Sequence, residues 1–454
     1  MKTKQLEKTK VLLSIFIACV LFFTSCQKDI NNNTGNQAVP LTQNSTAAKK
    51  SDANVATDWY NLQLKMILNA NPALSPLAIN RMFGYTGISL FEAARFEIPN
   101  SISLSGQLNE MPEMPKPDLQ KKYSWVGTAN AALANITRDM FPLQSPANLA
   151  SIDSLEKVYN DIILAEEGSD VFTRSQAFGD SVAANIFAWT KTDLFNHIGD
   201  PYTPPVGPGL WVPTPPVYAP AAGPYTGNCR TFLKQHTQTT VIPLPFPYSE
   251  KKNSAFYKMV NYNYTLSKSL TDDQKNIALF WDDNGAGISY TPMGHNISII
   301  TQILIDSHAN LAKAEEAYVK AGLAMQDATI ICFRAKYKYN LLRPVTYIRA
   351  QIDTAWLPFI VTPPHPEYPS AHAFNTSAVM QAMNSVFGYN YHFTDHTYDF
   401  LGYPARSYNS FDQAAVECGI SRVYGGIHYL PSVDIAHVYG KVLGEQIAQV
   451  RLTK

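Results

Sequence analysis

Apolar residues recur at helical spacing along most of the chain. Trp59, Leu62, Leu64, Met66 and Ile67 make one apolar face. After Asn71-Pro72, residues 75–96 alternate small and large apolar side chains (Ala78, Met82, Tyr85, Ile88, Phe91, Ala94) with the same period. The pattern predicts further helices at 118–140, 145–167, 170–192, 253–268, 271–282, after His295, at 311–342, 370–386, 410–424 and 431–450. No convincing strand alternation occurs in the first half, and residues 388–409 read as a polar, aromatic loop. The expected architecture is all-α. It is one large domain over 53–454, made of N-terminal helices (53–195), a loop (196–250) and a second set of helices (251–454). That loop is rich in proline, as in Trp211-Val-Pro-Thr-Pro-Pro. It also carries Trp211, Tyr218, Tyr225 and Phe232, aromatic anchors that predict an ordered segment packed on the domain.

Composition refines this picture. Hydrophobic residues are 46% of the 454 and charged residues only 16%, the balance of a large core under a lightly charged surface. Lys+Arg and Asp+Glu number 36 each, so no net field favours nucleic acid. The first 26 residues read as an export signal: Lys2, Lys4, Lys8 and Lys10, an apolar run from Val11 to Phe23, then Phe23-Thr-Ser-Cys26. That ending resembles a lipoprotein box with lipid on Cys26; an ordinary secretory signal cut nearby is the alternative. Residues 27–52 have the composition of a flexible tether. No later run is long and apolar enough to span a bilayer, so a tethered protein is expected. Cys229, Cys332 and Cys418 remain, an odd set that does not make a disulfide scaffold.

The candidate chemistry lies between Lys336 and Asp434. Lys336 and Arg343 are seven residues apart, and on one continuous helix they would share a face about 10 Å apart along the axis. Pro369-Ser370-Ala371-His372 precedes an apolar helix, making Ser370 an expected N-cap whose neighbouring amides point at an anion. In Ser421-Arg422-(x5)-His428, the Gly425-Gly426 pair allows a tight reversal. Each segment alone reads equally well as a solvated cationic face, a capped helix or a turn. Together they put three cations and two imidazoles in reach of one point, which an oxyanion would stabilise. His392 and His396 with Asp395 and Asp399 could suggest zinc, but the Gly, Asn and Tyr around them favour a polar loop.

Taken jointly, the three segments resemble the superfamily of type 2 phosphatidic acid phosphatases and vanadium-dependent haloperoxidases, whose pattern is K-x6-R-P, P-S-G-H and S-R-x5-H. Phe280-Trp-Asp-Asp-Asn-Gly, Thr291-Pro-Met-Gly-His295 and the Trp211 loop are similar to the soluble bacterial haloperoxidase-like branch, over roughly residues 55–450. The resemblance implies that Lys336, Arg343 and Arg422 bind the oxygens of vanadate or phosphate, with Ser370 and the Ala371 amide adding hydrogen bonds. It makes His428 the axial ligand of vanadium or the nucleophile of a phosphatase, and His372 the acid–base residue. It pairs Asp282 or Asp283 with Arg422, and puts His365 where chloroperoxidases of the family have Phe and bromoperoxidases have His, favouring bromide or iodide. Implied partners are hydrogen peroxide, a halide, a small organic acceptor and a membrane reached through the lipid anchor on the periplasmic or cell-surface side; homo-oligomers are left open.

Two departures stand out. Ala371 replaces a Gly, which an amide donor tolerates only with φ below zero. Asp434 comes six residues after His428 rather than four, so either the turn is longer and Asp434 orients the imidazole, or a main-chain carbonyl does. The competing functions are an acid phosphatase working through phospho-His428 and a non-catalytic oxyanion-binding lipoprotein.

Overall fold

The computed structural model describes residues 51–70, 72–141, 145–238, 242–283, 285 and 287–454. The expected signal, Cys26 and nearly all of the tether lie outside the described residues. Thirteen α-helices follow in order: α1 (Asn54–Leu68), α2 (Pro76–Ala94), α3 (Trp125–Met140), α4 (Pro146–Glu167), α5 (Ser169–Thr190), α6 (Ala255–Ser267), α7 (Asp272–Phe280), α8 (Pro292–Asp306), α9 (Leu311–Tyr339), α10 (Pro344–Gln351), α11 (Ala371–Phe387), α12 (Phe411–Tyr424) and α13 (Leu430–Ala448). The starts are written in the sequence. Side chains of Ser75, Ser124, Ser145, Ser254, Thr271, Thr291, Asn310 and Ser410 accept first-turn amides, and prolines open α2, α4, α8, α10 and α13. The all-α expectation holds, with one small exception. Within the expected polar loop, β1 (Phe393–Asp395) pairs antiparallel with β2 (Arg406–Tyr408).

Helix α9 is the axis of the molecule. From Leu311 to Lys336 nearly every side chain is buried, Glu315, Lys320 and Asp327 among them, because other elements cover the helix on all sides. It packs against α2 on one side and α11 on another, and α11 in turn lies against α12 and α13. Contact between α13 and α11 is closest at Gly440 and Gly444. A Cβ there would stand 2.5 Å from the Phe374 carbonyl oxygen and 2.4 Å from that of Ala378.

The predicted continuous helix over 311–342 ends early, at Tyr339. Asn340 turns left-handed (φ 47°), and Arg343 is extended (φ −77°, ψ 155°) as the cap of α10. Two forces win over the helical period. The residue before a proline is pushed out of the α region, and Asn tolerates φ above zero. The proline-rich loop then holds the break: Trp211 N donates to Asn340 O (2.6 Å), Leu342 N donates to Gly209 O (3.0 Å), and Tyr202 OH donates to the Asn340 side chain (2.9 Å). Lys336 and Arg343 therefore do not share a helix face. Short α10 was missing from the prediction because Pro344 reads as a stop when it is a first helical residue. Likewise 118–124 is not helical, since Ser124 caps α3.

The loop is anchored mainly by Trp211 and Phe232, each 1% exposed, whereas the expected anchor Tyr218 is 60% exposed. The Asp327 carboxylate on α9 accepts the amides of Phe232 (2.6 Å) and Leu233 (3.0 Å) and faces His236 Nδ1 at 2.7 Å. Further along, Ala222 N donates to Pro364 O and Tyr368 OH to Pro243 O.

Because α13 seats α11 backbone to backbone, Gly440→Ala is expected to cost about 1–3 kcal/mol through forced separation of the helices. A denaturant midpoint lowered at unchanged slope would show it.

Candidate active site

Six pieces of chain converge: the end of α9, the cap of α10, residues 363–370, the start of α11, the end of α12 and the turn 425–428. Their polar side chains are withdrawn from water, with Lys336, Arg343 and Ser370 at 0%, Arg422 at 1% and His428 at 2% exposure. A buried cation costs several kcal/mol unless compensated. Yet among the described residues no carboxylate oxygen lies within 4.0 Å of the charged nitrogens of Lys336, Arg343 or Arg422.

Neutral main-chain carbonyls hold them instead. Lys336 Nζ donates to Pro366 O (2.8 Å) and Glu367 O (3.0 Å). Arg343 donates through Nε to His365 O and through Nη1 to Ile427 O, both at 2.9 Å. Arg422 donates to Asp282 O (3.4 Å) and Ala278 O (3.3 Å), with Nε on Ser421 Oγ (3.0 Å). Carbonyls fix position without cancelling charge, so the positive field remains for a ligand. Burial pulls Arg343 down to about 10 and Lys336 to about 7 and lowers Arg422 too, the carboxylates of Glu367 near the first two and Asp282 near the third offsetting it only in part. A bound oxyanion removes that strain on all three.

Ser370 precedes α11 as expected, but its hydroxyl does not cap the helix and has no hydrogen-bond partner. A buried hydroxyl without a partner costs about 1–3 kcal/mol, and an oxyanion at the helix N-terminus would satisfy it. Ala371 is the first residue of α11 and is not among the positive-φ residues, so the backbone condition set by its methyl group is met.

The orientation of His428 corrects the sequence expectation. Asp434 is exposed on the outer side of α13 and does not reach the imidazole, nor does a carbonyl. The acid is Glu367, fully buried, with Oε1 2.8 Å from His428 Nδ1. Glu367 also accepts Tyr429 N (3.1 Å) and Ser432 Oγ (2.9 Å), bonds that fix it as an acceptor although burial pushes its carboxyl up. Nδ1 therefore carries the proton, and the lone pair on Nε2 faces Arg343 Nη1 at 3.2 Å. Asn263 Nδ2 holds the His428 carbonyl (2.7 Å). Burial, and next the charges of Arg343 and Lys336, hold His428 well below the ordinary imidazole range, so it is neutral. Glu367 could have been singled out as a lone acid between Pro366 and Pro369, two residues from His365.

His372 stands at the edge of the cluster, 14% exposed, its Nε2 3.4 Å from Arg422 Nη1 and 3.8 Å from Asp283 Oδ2. Burial and the neighbouring Arg422 hold it well below the usual range. The expected pairing of Arg422 with Asp282 or Asp283 does not form as an ion pair: Arg422 takes the Asp282 carbonyl, and Asp283 turns to His295 (2.9 Å) and Tyr398. His365 faces Arg343 Nη2 through Nδ1 (3.1 Å) and packs on Phe333. His396 bonds Asp399 in an exposed turn, while Asp395 is buried on His295.

This donor set fits a tetrahedral oxyanion, and the lone pair of His428 Nε2 is turned into the same space. Comparison with known proteins agrees. A family model described as the VCPO second helical-bundle domain matches residues 316–453. The crystal structure of the first bacterial vanadium-dependent iodoperoxidase superposes with a TM-score of 0.80 at 30% identity, covering 90% of this chain and 99% of that one. Holo and apo bacterial vanadium-dependent chloroperoxidases superpose at 0.67 and 0.63, with 16% and 17% identity. They cover 89% and 83% of this chain and 98% and 94% of theirs, a likeness of fold. No curated protein sequence matches. The fold and the oxyanion cradle define an all-α enzyme of the vanadium haloperoxidase type. The chain belongs to the type 2 phosphatidic acid phosphatase and vanadium haloperoxidase superfamily.

Glu367→Gln keeps the shape but removes the charge that fixes the His428 tautomer. It is expected to weaken vanadate binding about 10- to 100-fold, measured by calorimetric titration. For the intact protein, phosphate at about 100 times its Kd should add about 2.7 kcal/mol of stability, read as a raised Tm.

Proposed function

We propose that the chain is a vanadium-dependent haloperoxidase that uses hydrogen peroxide to oxidise bromide or iodide and delivers the product to a small organic acceptor. The observation that carries this is the inward lone pair of His428 Nε2, fixed by Glu367 and facing Arg343, in a site whose three buried basic side chains are positioned by carbonyls and not by carboxylates. Bound vanadate supplies a Lewis-acid centre that activates peroxide without changing oxidation state. Lys336, Arg343 and Arg422 hold its oxygens, and Ser370 Oγ and the first amides of α11 donate to them. Lys336 spends two of its three N–H groups on carbonyls and keeps the third for the ligand. His372, kept neutral by burial and Arg422, takes a proton from the incoming peroxide.

Halide preference falls to His365, whose Nδ1 lies on Arg343 and whose ring lies on Phe333. The chloroperoxidases of the family carry Phe at that place, which supports bromide or iodide here. The charged start of the chain, its apolar run and Cys26 support export and a lipid anchor, which would put the oxidant outside the cell.

The same geometry supports a second reading. Nε2 of His428 could attack phosphorus, forming an N–P bond as the ester P–O bond breaks; the leaving oxygen would take its proton from His372, which must then be charged against the pull of burial and Arg422. Apo-protein loaded with orthovanadate and assayed with peroxide, bromide or iodide and a phenol separates the two. The peroxidase reading expects halogenation that appears only with vanadate and falls when phosphate competes. Phosphate-ester hydrolysis inhibited by vanadate, without halogenation, would replace it by the second.

A further inference from the structure

Behind His372 lies a buried chain of charge that the anion cradle does not use. His295, on α8 and 0% exposed, sits between two carboxylates, its Nδ1 2.9 Å from Asp283 Oδ1 and its Nε2 2.7 Å from Asp395 Oδ2. Asp395, on β1, also accepts Thr397 N (2.9 Å), and Asp283 also accepts Tyr398 OH. An ionised carboxylate only accepts, so both ring nitrogens must donate, and His295 is an imidazolium. Trp281 stacks on its ring at 4.3 Å. Asp283 reaches this position through a left-handed backbone (φ 47°), which turns its side chain to His295. Its other oxygen, Oδ2, has no hydrogen-bond partner and points towards His372 Nε2, 3.8 Å away.

We propose that His295 is a positioning residue: by holding Asp283 from behind, it keeps that carboxylate off Arg422 and aims Oδ2 at His372. Two consequences follow from the geometry. Arg422 is left without a carboxylate in direct contact, so its hydrogen-bonding face stays open to the oxyanion while Asp282 and Asp283 act on it only from a distance. His372 stands between two partners, accepting from Arg422 when neutral and donating to Asp283 when it carries a proton at Nε2.

The charged and titratable groups facing His295 are Asp283 and Tyr398, Asp395 on β1, and His372 at the start of α11; beyond Trp281 lies Glu417 of α12, itself bonded to Arg406. Burial alone would pull His295 down, but the two carboxylates outweigh it and push it up to about 10. It is thus charged below that value and stays so through the neutral range.

This inference rests on the site binding an oxyanion, not on which reaction follows, and its test uses neither vanadate nor peroxide. Nitrogen-15 histidine NMR of the intact protein should show both His295 nitrogens protonated up to about pH 9, far above the ordinary imidazole value of about 6.5. Asp395→Asn removes one carboxylate without altering shape and lies outside the anion cradle. It should bring His295 into titration between about pH 6 and about pH 8. As His295 loses its charge it holds Asp283 only through a neutral Nδ1–H, and the carboxylate shifts its attraction towards Arg422. Sulfate, whose own charge is constant there, should then bind about tenfold more weakly to the variant than to the parent, with equal affinity at the acid end. A singly protonated His295 in the intact protein at about pH 8 would overturn the proposal. Parallel sulfate profiles for parent and variant would overturn it as well.

Discussion

Three cations stand in the interior with carbonyl oxygens for company. That arrangement governs the rest of the molecule. A carboxylate beside each would lower its cost and also abolish its use, because a paired cation has little attraction left for a tetrahedral anion. Carbonyl dipoles aim Lys336, Arg343 and Arg422 without pairing any of them with a carboxylate. The acids that enter the site are spent on the histidines instead: Glu367 on His428 and Asp283 on His295, each setting where a ring carries its protons.

The fold can be read as the means of delivering those carbonyls. Residues 363–367 form an irregular strip that presents the oxygens of His365, Pro366 and Glu367 to Arg343 and Lys336. The break at Asn340 separates the two basic residues, so that they meet the strip from different elements. Gly209 and Trp211 of the proline-rich loop stabilise that break. On the other side, α13 packs against the backbone of α11 at Gly440 and Gly444, which seats the helix whose N-terminus carries Ser370 and His372. The second half of the fold thereby brings Lys336, Arg343, Ser370, His372, Arg422 and His428 to one place from several directions.

Much of this was legible in the residues. Helical periodicity with Ser, Thr and Pro start signals marked twelve of the thirteen helices, and three short motifs marked Lys336, Arg343, Ser370, His372, Arg422 and His428. What the sequence hid was long-range or non-periodic. Glu367 lies sixty-one positions from His428, a pairing that no local spacing announces, while the nearer Asp434 lies on the wrong face of α13. The stop at Tyr339 has local causes in Asn340 and Pro344, but the loop that holds it lies more than a hundred residues upstream. Asp395 sat in what read as a polar loop, and a short hairpin buries it a hundred positions from His295. Hydrophobic spacing fixes which residues turn inward along a helix; it says little about which buried polar groups then meet.

The most direct measurement of the central claim is a crystal structure of the protein soaked in orthovanadate. The account predicts a metal at bonding distance from His428 Nε2, with oxygens within hydrogen-bonding reach of Lys336, Arg343, Arg422 and Ser370. Vanadate bound elsewhere, or a cradle whose cations have turned to carboxylates with no anion between them, would contradict it.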